Sequence, residues 1–387
     1  MALVLTTLYN PLEKPQNTSQ KTFEKGVWLS YFEEDFDMQS RESFEKSVDA
    51  MFKQLSENNI DALFIHCRAF CDAIYKSDLF PMADSFKHNG KEPPFDPLTV
   101  ICGYADKYNI SIHAWINPYR VSTSLKNIDD LSDDSAAKRI YLKDNQSVIA
   151  CEQGIYLNPA NKTANKLILD GVREIVENYK VDGIHFDDYF YPTTAESFDK
   201  ASYADYTKSG GKLALDDWRR ANIDAMVSGV YSIVKSTDKD MQFGIAPICD
   251  IETNYLAYYA DVEKWTSEDG YIDYICPQIY FGYNHTTQPF SKALDRWKAL
   301  AEKGNARLYV GLAAYKHNTV DEYISESKPD AKNEWINNKN LLYQQAKQVL
   351  EDQDVSGFIM FSFDDYFSKD LENIRVEISK LGINNNE

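Results

Sequence analysis

The chain has 387 residues, with 41 basic and 60 acidic side chains and a formal net charge of −19 at pH 7. So acidic a balance argues against nucleic acid or an anionic membrane surface as a partner. Hydrophobic residues make up 43% of the chain, enough for a sizeable core. No run of about 18 apolar residues predicts a membrane span.

The chain starts with "MALVLTTLYNPLEKPQ", which lacks the basic start and the long apolar run of a signal peptide. We interpret residues 1–21 as an N-terminal extension and residues 22–385 as one domain, because no linker or low-complexity segment divides them. The six cysteines form no C-x-x-C pair and no dense framework, so we predict free thiols with a structural role.

Runs with strand character follow at 26–32, 62–68, 111–118, 183–190, 243–247, 274–280, 308–315 and 357–363. Segments with helical periodicity separate them, at Arg41–Glu57, Pro97–Tyr108, Ala164–Tyr179, Leu213–Lys235, Ser291–Glu302, Asn338–Glu351 and Lys369–Lys380. This alternation predicts an α/β fold, a parallel (β/α)8 TIM barrel. A doubly wound nucleotide-binding sheet has little support, since no G-x-G-x-x-G follows the first strand. Stretches 69–96 and 119–162 are predicted to be long loops after strands two and three.

Four of the predicted strands carry apolar residues on one face and, towards their C-terminal ends, polar residues on the other. Barrel enzymes have their active sites at that end. We therefore expect one pocket at the mouth, lined by Arg68, His113, Asn117, Asp187, Gln278 and Tyr280. His185 shares the inward face with Asp187. Tyr119, near the rim, and Tyr280 are candidate platforms for a sugar ring.

The stretch "VDGIHFDDYFYP" places two aspartates, Asp187 and Asp188, side by side at the end of the fourth strand. Adjacent residues of a regular strand point to opposite faces, so both can serve one bond only if the backbone turns at position 188. The alternative without chemistry is a strand end whose carboxylates cap the next helix or pair with an arginine.

Five segments occur in an order that resembles the glycosyl-hydrolase-like family 10 proteins of bacteria, once grouped as domain of unknown function 187: "WLSYF", "HAWINPYR", "VDGIHFDDYFYP", "DDWRRANI" and "IDYICPQIYFGY". The resemblance runs from about Lys25 to about Phe363. It implies a (β/α)8 barrel that hydrolyses a polysaccharide, such as peptidoglycan glycan strands, often at the cell envelope. The residues that the family shares fall here on Arg68, His113, Asn117, Arg120, Asp187, Asp188, Asp273, Gln278 and Tyr280.

Glycoside hydrolysis normally needs two carboxyl groups, one protonated as an acid and one ionised as nucleophile or base. Asp187 suits the anion, with Arg68 and His113 as the donors that would keep it ionised. Asp188 is the first candidate for the acid. The alternatives follow strands five and eight: Asp250, Glu252, Asp364 and Asp365.

The chitinase-type motif D-G-x-D-x-D-x-E is not matched, because Tyr189 stands in place of its glutamate. Asn117 is expected to bind a ring hydroxyl or the leaving group. Arg120 is expected to bind an acidic substituent such as a lactyl carboxylate, which a guanidinium matches well.

Two further classes of function remain as alternatives. A metal-dependent barrel hydrolase would use His66, His113 and His185 with Asp187 as ligands, but the early H-x-H pair of such enzymes is absent. A non-catalytic carbohydrate-binding barrel would keep the aromatic platforms without the acid. We predict neither a metal nor a cofactor, and an oligosaccharide or polysaccharide as the binding partner.

Overall fold

The computed structural model describes residues 23–382. The predicted N-terminal extension, residues 1–21, lies outside the described residues, as do residues 22 and 383–385 of the predicted domain. The assignment of residues 22–385 to one domain stays a prediction. All six cysteine thiols are free, and five of them are buried.

The described part of the chain contains strands that number, in chain order, β1 Lys25–Leu29, β2 Ala62–Arg68, β3 Ser111–Ile116, β4 Arg120–Ser122, β5 Val148–Cys151, β6 Gly154–Leu157, β7 Gly183–Phe186, β8 Gln242–Ile245, β9 Tyr274–Ile275, β10 Arg307–Ala313 and β11 Gly357–Phe361. Eight of them close into a barrel in the order β1, β2, β3, β7, β8, β9, β10, β11. Every neighbouring pair in this ring is parallel. The predicted TIM barrel is confirmed.

The α-helices of residues 23–382 are α1 Arg41–Glu57, α2 Pro97–Tyr108, α3 Ala136–Tyr141, α4 Lys162–Asn178, α5 Lys200–Lys208, α6 Leu215–Thr237, α7 Ile251–Ala257, α8 Val262–Ser267, α9 Phe290–Ala301, α10 Pro329–Lys332, α11 Glu334–Asn337, α12 Leu341–Glu351, α13 Phe363–Tyr366 and α14 Glu372–Ser379. None is long and apolar enough to cross a membrane. Short 3-10 turns lie at Asp84–Phe86, Ile128–Asp130 and Ala314–Lys316.

Polar side chains define where the outer helices begin. Ser40 caps α1 by accepting from the backbone N–H of Ser43, whose hydroxyl accepts in return from the N–H of Ser40. Asp96 caps α2 by accepting from the backbone N–H of Thr99, and a proline follows it at the first helical position. Such caps satisfy N–H groups that the helix itself leaves without partners.

Two hydrophobic clusters fill the barrel and surround it. The inner one contains Trp28, Phe64, Trp115, Tyr274 and Tyr309, whose side chains point to the barrel axis. The larger outer one packs the opposite face of the strands against the helices. The alternation of strand faces therefore separates an inner from an outer layer, as the sequence predicts.

The stretch after β3 differs from the prediction. Instead of an irregular loop, residues 119–162 contain α3 and a three-stranded antiparallel sheet in the order β4, β6, β5. Its strands are only three or four residues long, so the sequence gives little periodicity from which to predict them. The stretch 69–96 is a long loop, with one 3-10 turn.

Candidate active site

The backbone bends where the two adjacent aspartates stand. Strand β7 ends at Phe186, and the N–H of Phe190 donates to the carbonyl of Asp188 over 3.0 Å. Because of this bend, Asp187 and Asp188 both line one pocket of about 230 Å³ at the C-terminal mouth of the barrel, which we call the mouth pocket. The backbone turn that the two aspartates need in order to serve one bond is therefore present.

Three N–H groups point at the carboxylate of Asp187, which is only 3% exposed. The indole of Trp115 donates to Oδ2 over 3.2 Å, and the backbone N–H of Tyr189 donates to Oδ1 over 3.2 Å. The amide of Asn117, oriented to satisfy both of its ends, donates to Oδ1 over 2.9 Å. Donors of this kind favour the ionised form of a carboxyl group.

Asn117 also joins Asp187 to two basic residues. In the same orientation its oxygen accepts from Nε of Arg120 and from Nε2 of His66, each over 3.1 Å. Burial and the nearby Arg120 hold the pKa of His66 well below its usual range. The His66 ring is therefore neutral, with its proton on Nε2.

Asp188 has a different environment. It is half-buried at the pocket wall, and Oδ1 accepts from Nε2 of Gln278 over 3.0 Å. The same amide nitrogen donates to the carbonyl of Ala246 over 2.9 Å, which fixes the orientation of Gln278. Asp188 thus receives one side-chain donor, whereas Asp187 receives two and a backbone N–H.

Burial raises the pKa of both carboxyl groups, and the charge of Asp188 raises the pKa of Asp187 further. Arg120 and the hydrogen-bond donors act in the opposite direction on both. Two carboxyl groups this close share their titration, so the pair retains one proton well above the pH at which an exposed aspartate loses it.

Aromatic side chains form the walls of the mouth pocket, and those found in the structure are Trp28, Tyr31, Phe32, Trp115, Tyr189, Tyr280 and Phe361. Tyr280 and Phe361 lie nearly parallel, with ring centroids 5.9 Å apart. Tyr31, Phe32 and Phe361 are not among the site residues predicted from the sequence, although the first two belong to the segment "WLSYF". Aromatic faces of this kind suit the apolar faces of sugar rings.

Of the expected site residues, Asp187, Asp188, Arg120, Gln278 and Tyr280 line the mouth pocket, and Asn117 lies directly behind Asp187. The guanidinium of Arg120 is 4.6 Å from the ring centroids of both Phe70 and Tyr189. Which of these residues react and which bind stays a prediction.

The expected place of Arg68 at the mouth is wrong. The pairing of β2 with β3 shifts between His66 and Arg68, so Cys67 is an extra residue and Arg68 pairs with the outward-facing Ile116. Arg68 therefore points to the helix layer, where its guanidinium lies 3.8 Å from the ring centroid of Phe80. A Cβ at Gly171 of α4 would collide with it.

His113 and His185 face inwards as expected, but they lie too deep to line the mouth pocket. His113 is four residues before Asn117 on its strand, which places it about 13 Å below. Both imidazoles contact the hydroxyl of Tyr274, at 3.1 Å and 2.9 Å. Among residues 23–382, no group of three or more His, Cys, Asp or Glu side chains could hold a metal ion.

Tyr119 and Asp273 also lie away from the mouth pocket. Tyr119 is fully buried beneath the small sheet, where its carbonyl accepts from the N–H of Leu157 over 2.8 Å. Asp273 precedes β9 and therefore lies at the N-terminal end of the barrel. It accepts from the N–H of Phe243 and pairs with Lys235, each over 2.7 Å.

Neither alternative acid after strand five reaches the mouth pocket. Asp250 caps α7, since Oδ1 accepts from the N–H of Thr253 over 2.8 Å, and Oδ2 accepts from Gln288 over 3.0 Å. Glu252 is exposed in the first turn of the same helix. After strand eight, Asp365 accepts from the hydroxyl of Ser362 over 2.8 Å.

Comparisons with known proteins agree with this architecture. Residues 24–327 match the family described as Glycosyl hydrolase-like 10. The chain is 34% identical over 266 residues to glycosyl hydrolase YngK of Bacillus subtilis (strain 168), which covers 64% of this chain and 51% of YngK. It is 30% identical over 319 residues to glycosyl hydrolase DigH of Escherichia coli (strain K12), which covers 77% of this chain and 70% of DigH. The chain thus spans about half the length of YngK.

Solved structures resemble the fold at low sequence identity. The glycoside hydrolase domain of PgaB (BpsB) from Bordetella bronchiseptica has a TM-score of 0.58 at 11% identity, covering 92% of this chain and 99% of that one. The catalytic domain of beta-amylase from Paenibacillus polymyxa has a TM-score of 0.54 at 10% identity, covering 92% and 95%. At such identities the likeness concerns the barrel.

Proposed function

Because this chain belongs to the glycosyl hydrolase-like 10 family, we propose that it hydrolyses a glycosidic bond of a polysaccharide in its mouth pocket. One observation carries the proposal above all others. The bend after β7 brings the adjacent carboxyl groups of Asp187 and Asp188 into one pocket, where burial raises the pKa of both. Acid and anion are the two groups that this reaction needs.

The hydrogen bonds around the pair support a division of roles. Asp187, which accepts from Trp115, Asn117 and the N–H of Tyr189, is the anion. Asp188, which accepts from the side chain of Gln278 and is half-exposed to the pocket, is the acid. The donors differ from those that the sequence predicted, Arg68 and His113, but the role of Asp187 stays the same.

The reaction then follows from these positions. Asp188 transfers its proton to the glycosidic oxygen as the bond between that oxygen and the anomeric carbon breaks, and the leaving sugar departs as an alcohol. The carboxylate of Asp187 stabilises the positive charge that develops on the remaining ring. It acts either as the nucleophile or as the base that activates water, and water supplies the hydroxyl of the product.

We further propose peptidoglycan glycan strands as the substrate, which the family resemblance suggests. Arg120 supports this choice, because its guanidinium lines the mouth pocket and forms no ion pair with another side chain of residues 23–382. A lactyl carboxylate on the sugar would pair with this guanidinium in a bidentate geometry that its planar shape matches.

The test is incubation of the purified protein with denuded peptidoglycan strands, chitin oligomers, and plant and host glycans, with products read by mass spectrometry. Fragments from the peptidoglycan strands, absent with the Asp187→Asn variant, would support the whole proposal. Fragments from another glycan alone would support the proposed reaction but assign a different substrate. Binding of a glycan without any cleavage would favour a carbohydrate-binding barrel instead.

A further inference from the structure

A second cavity of about 480 Å³ adjoins the mouth pocket, and we call it the side cavity. Tyr31 and His66 line both, so the two spaces meet at these side chains. Glu34 after β1, the loop after β2, and residues within and after β4 supply the rest of its walls. Its size lies in the range of ordinary small-molecule sites.

Carboxyl groups dominate the polar lining of the side cavity: Glu34, Asp72, Asp84 and Asp134. The one lysine in the lining, Lys87, pairs with Asp84 over 2.9 Å, so it balances a charge at the rim and not in the interior. The lining is therefore negative. A substituent such as a carboxylate is disfavoured there, in contrast to the surroundings of Arg120 in the mouth pocket.

Glu34 is the feature of the side cavity that most needs a ligand. Its side chain is 5% exposed, and neither carboxyl oxygen has a hydrogen-bond partner among the described residues. Burial and the charges of Asp72 and Glu33 raise its pKa well above the usual range. A buried carboxyl group in this condition costs free energy unless a cation or a donor meets it.

His66 adds a second acceptor at the junction of the two spaces. Its proton lies on Nε2, which donates to Asn117, so Nδ1 presents a lone pair. That atom is buried and also lacks a partner within residues 23–382. Two side chains of the side cavity, Glu34 and His66, thus hold buried acceptor atoms without a hydrogen-bond partner among the described residues, and a hydrogen-bond-donating cation would satisfy them.

We propose that the side cavity binds the free amino group of a de-N-acetylated hexosamine, in the sugar unit next to the one held in the mouth pocket. An ammonium group supplies three N–H donors and a positive charge that would pair with the carboxyl group of Glu34. An N-acetylated sugar offers one weaker donor and no charge. This inference rests on the proposed function, because it assigns the neighbouring sugar of the same glycan.

The test compares two samples of denuded peptidoglycan strands of equal length, one native and one chemically de-N-acetylated. Binding to the Asp187→Asn variant is measured by calorimetry, so that affinity is read without turnover. We expect the de-N-acetylated strands to bind about tenfold tighter, as for a hydrogen bond between charged groups. Glu34→Gln in the same background should remove the preference.

Asp134→Asn is the matched control, because it removes one negative charge from the same cavity at an exposed position. It should keep most of the preference, and thermal melts should show that both variants fold. Equal affinity for the two samples, no binding of either, or a preference that survives Glu34→Gln would overturn the inference.

Hydrolysis by the unmodified protein separates this inference from the proposed function. Cleavage of both samples with equal efficiency, unaltered by Glu34→Gln, would leave the glycosidase intact and remove the amino-sugar subsite. A preference in binding that depends on Glu34, with no cleavage of either sample, would keep the subsite and remove the glycosidase.

Discussion

The indole N–H of Trp28 donates to Nε2 of His185 over 3.0 Å, beneath the floor of the mouth pocket. An indole nitrogen can only donate, so Nε2 of His185 is the acceptor and its Nδ1 carries the proton. That proton is donated to the hydroxyl of Tyr274 over 2.9 Å, and burial holds the pKa of His185 well below its usual range. His185 is a neutral structural residue of the barrel interior.

His185→Leu should therefore lower stability by about 2–4 kcal/mol, because it leaves the buried indole N–H of Trp28 without its acceptor and removes one of the two imidazole partners of the Tyr274 hydroxyl. Urea denaturation at pH 7 measures this. The unmodified protein should also lose stability as pH falls below 6.5, the usual pKa of histidine. In that range the imidazole of His185 binds a proton in the unfolded chain but stays neutral in the folded protein. Unchanged stability with weaker glycan binding would instead make His185 a substrate contact.

Asp187→Asn should abolish hydrolysis, with a loss of at least about a thousandfold, while folding and glycan binding are largely kept. The amide preserves the shape but removes the anion that supports the transition state. Turnover and calorimetric affinity on the same glycan measure the two effects. Asp250→Asn is the control, and it should be mild because asparagine caps a helix as well as aspartate does. Near-normal turnover in Asp187→Asn would refute the assignment.

Asp188→Asn tests the assignment of the acid. It should lower turnover on a glycan strongly, but the loss should shrink on an aryl glycoside whose leaving group needs no protonation. The ratio of the two losses is the measurement. Glu252→Gln, at an exposed position of α7, should leave both rates unchanged. An equal loss on both substrates would assign Asp188 a role other than proton transfer.

Asn117→Leu should act through Asp187, to which Asn117 donates over 2.9 Å. Without this donor the pKa values of the pair rise, so the pH profile of kcat/KM should move to higher pH. We expect kcat at the optimum to fall about tenfold to a hundredfold. A fall in stability with an unmoved pH profile would show that Asn117 only supports the fold.

Glu34→Gln should stabilise the protein increasingly as pH rises. Burial and the charges of Asp72 and Glu33 raise the pKa of Glu34 in the folded protein, so its contribution to stability is full below its usual pKa of 4.5 and is lost as pH rises towards the folded value. In that pH window the free energy of unfolding of the unmodified protein should decrease relative to that of Glu34→Gln by up to about 1.4 kcal/mol for each pH unit. Urea denaturation at pH 4, 6 and 8 measures it. Asp134→Asn, at an exposed position, should show no such trend.

The barrel and much of the candidate site follow from local rules. The period-2 pattern of "SIHAWI" predicts the inward face of β3, and the run before Asp187 predicts that of β7. The sequence predicts the wrong face for Arg68, because a single extra residue, Cys67, reverses the strand faces after it. Such a bulge cannot be recognised from hydrophobic periodicity. The prediction that His113 lines the mouth pocket is wrong for another reason. The alternation gives the strand face on which a residue lies but not its depth in the barrel.

The structure also supplies what no pattern in the chain contains. Glu34 follows the first strand as an ordinary acidic residue, and only the packing of distant loops shows that it is buried without a partner. The bend that turns Asp188 into the pocket likewise depends on neighbours, with Gln278 of another strand end holding its carboxyl group over 3.0 Å.

Asn117 and Arg120 stand three positions apart but belong to different parts of the fold. Asn117 directly follows barrel strand β3, whereas Arg120 begins the small antiparallel sheet inserted between β3 and α4. The insertion is thus a module that supplies the positive charge of Arg120 to the mouth pocket, whereas Asp187 and Asp188 directly follow β7. A chimera that exchanges this module for that of a relative would retain the machinery for bond cleavage and acquire a different preference for the substituents of the sugar.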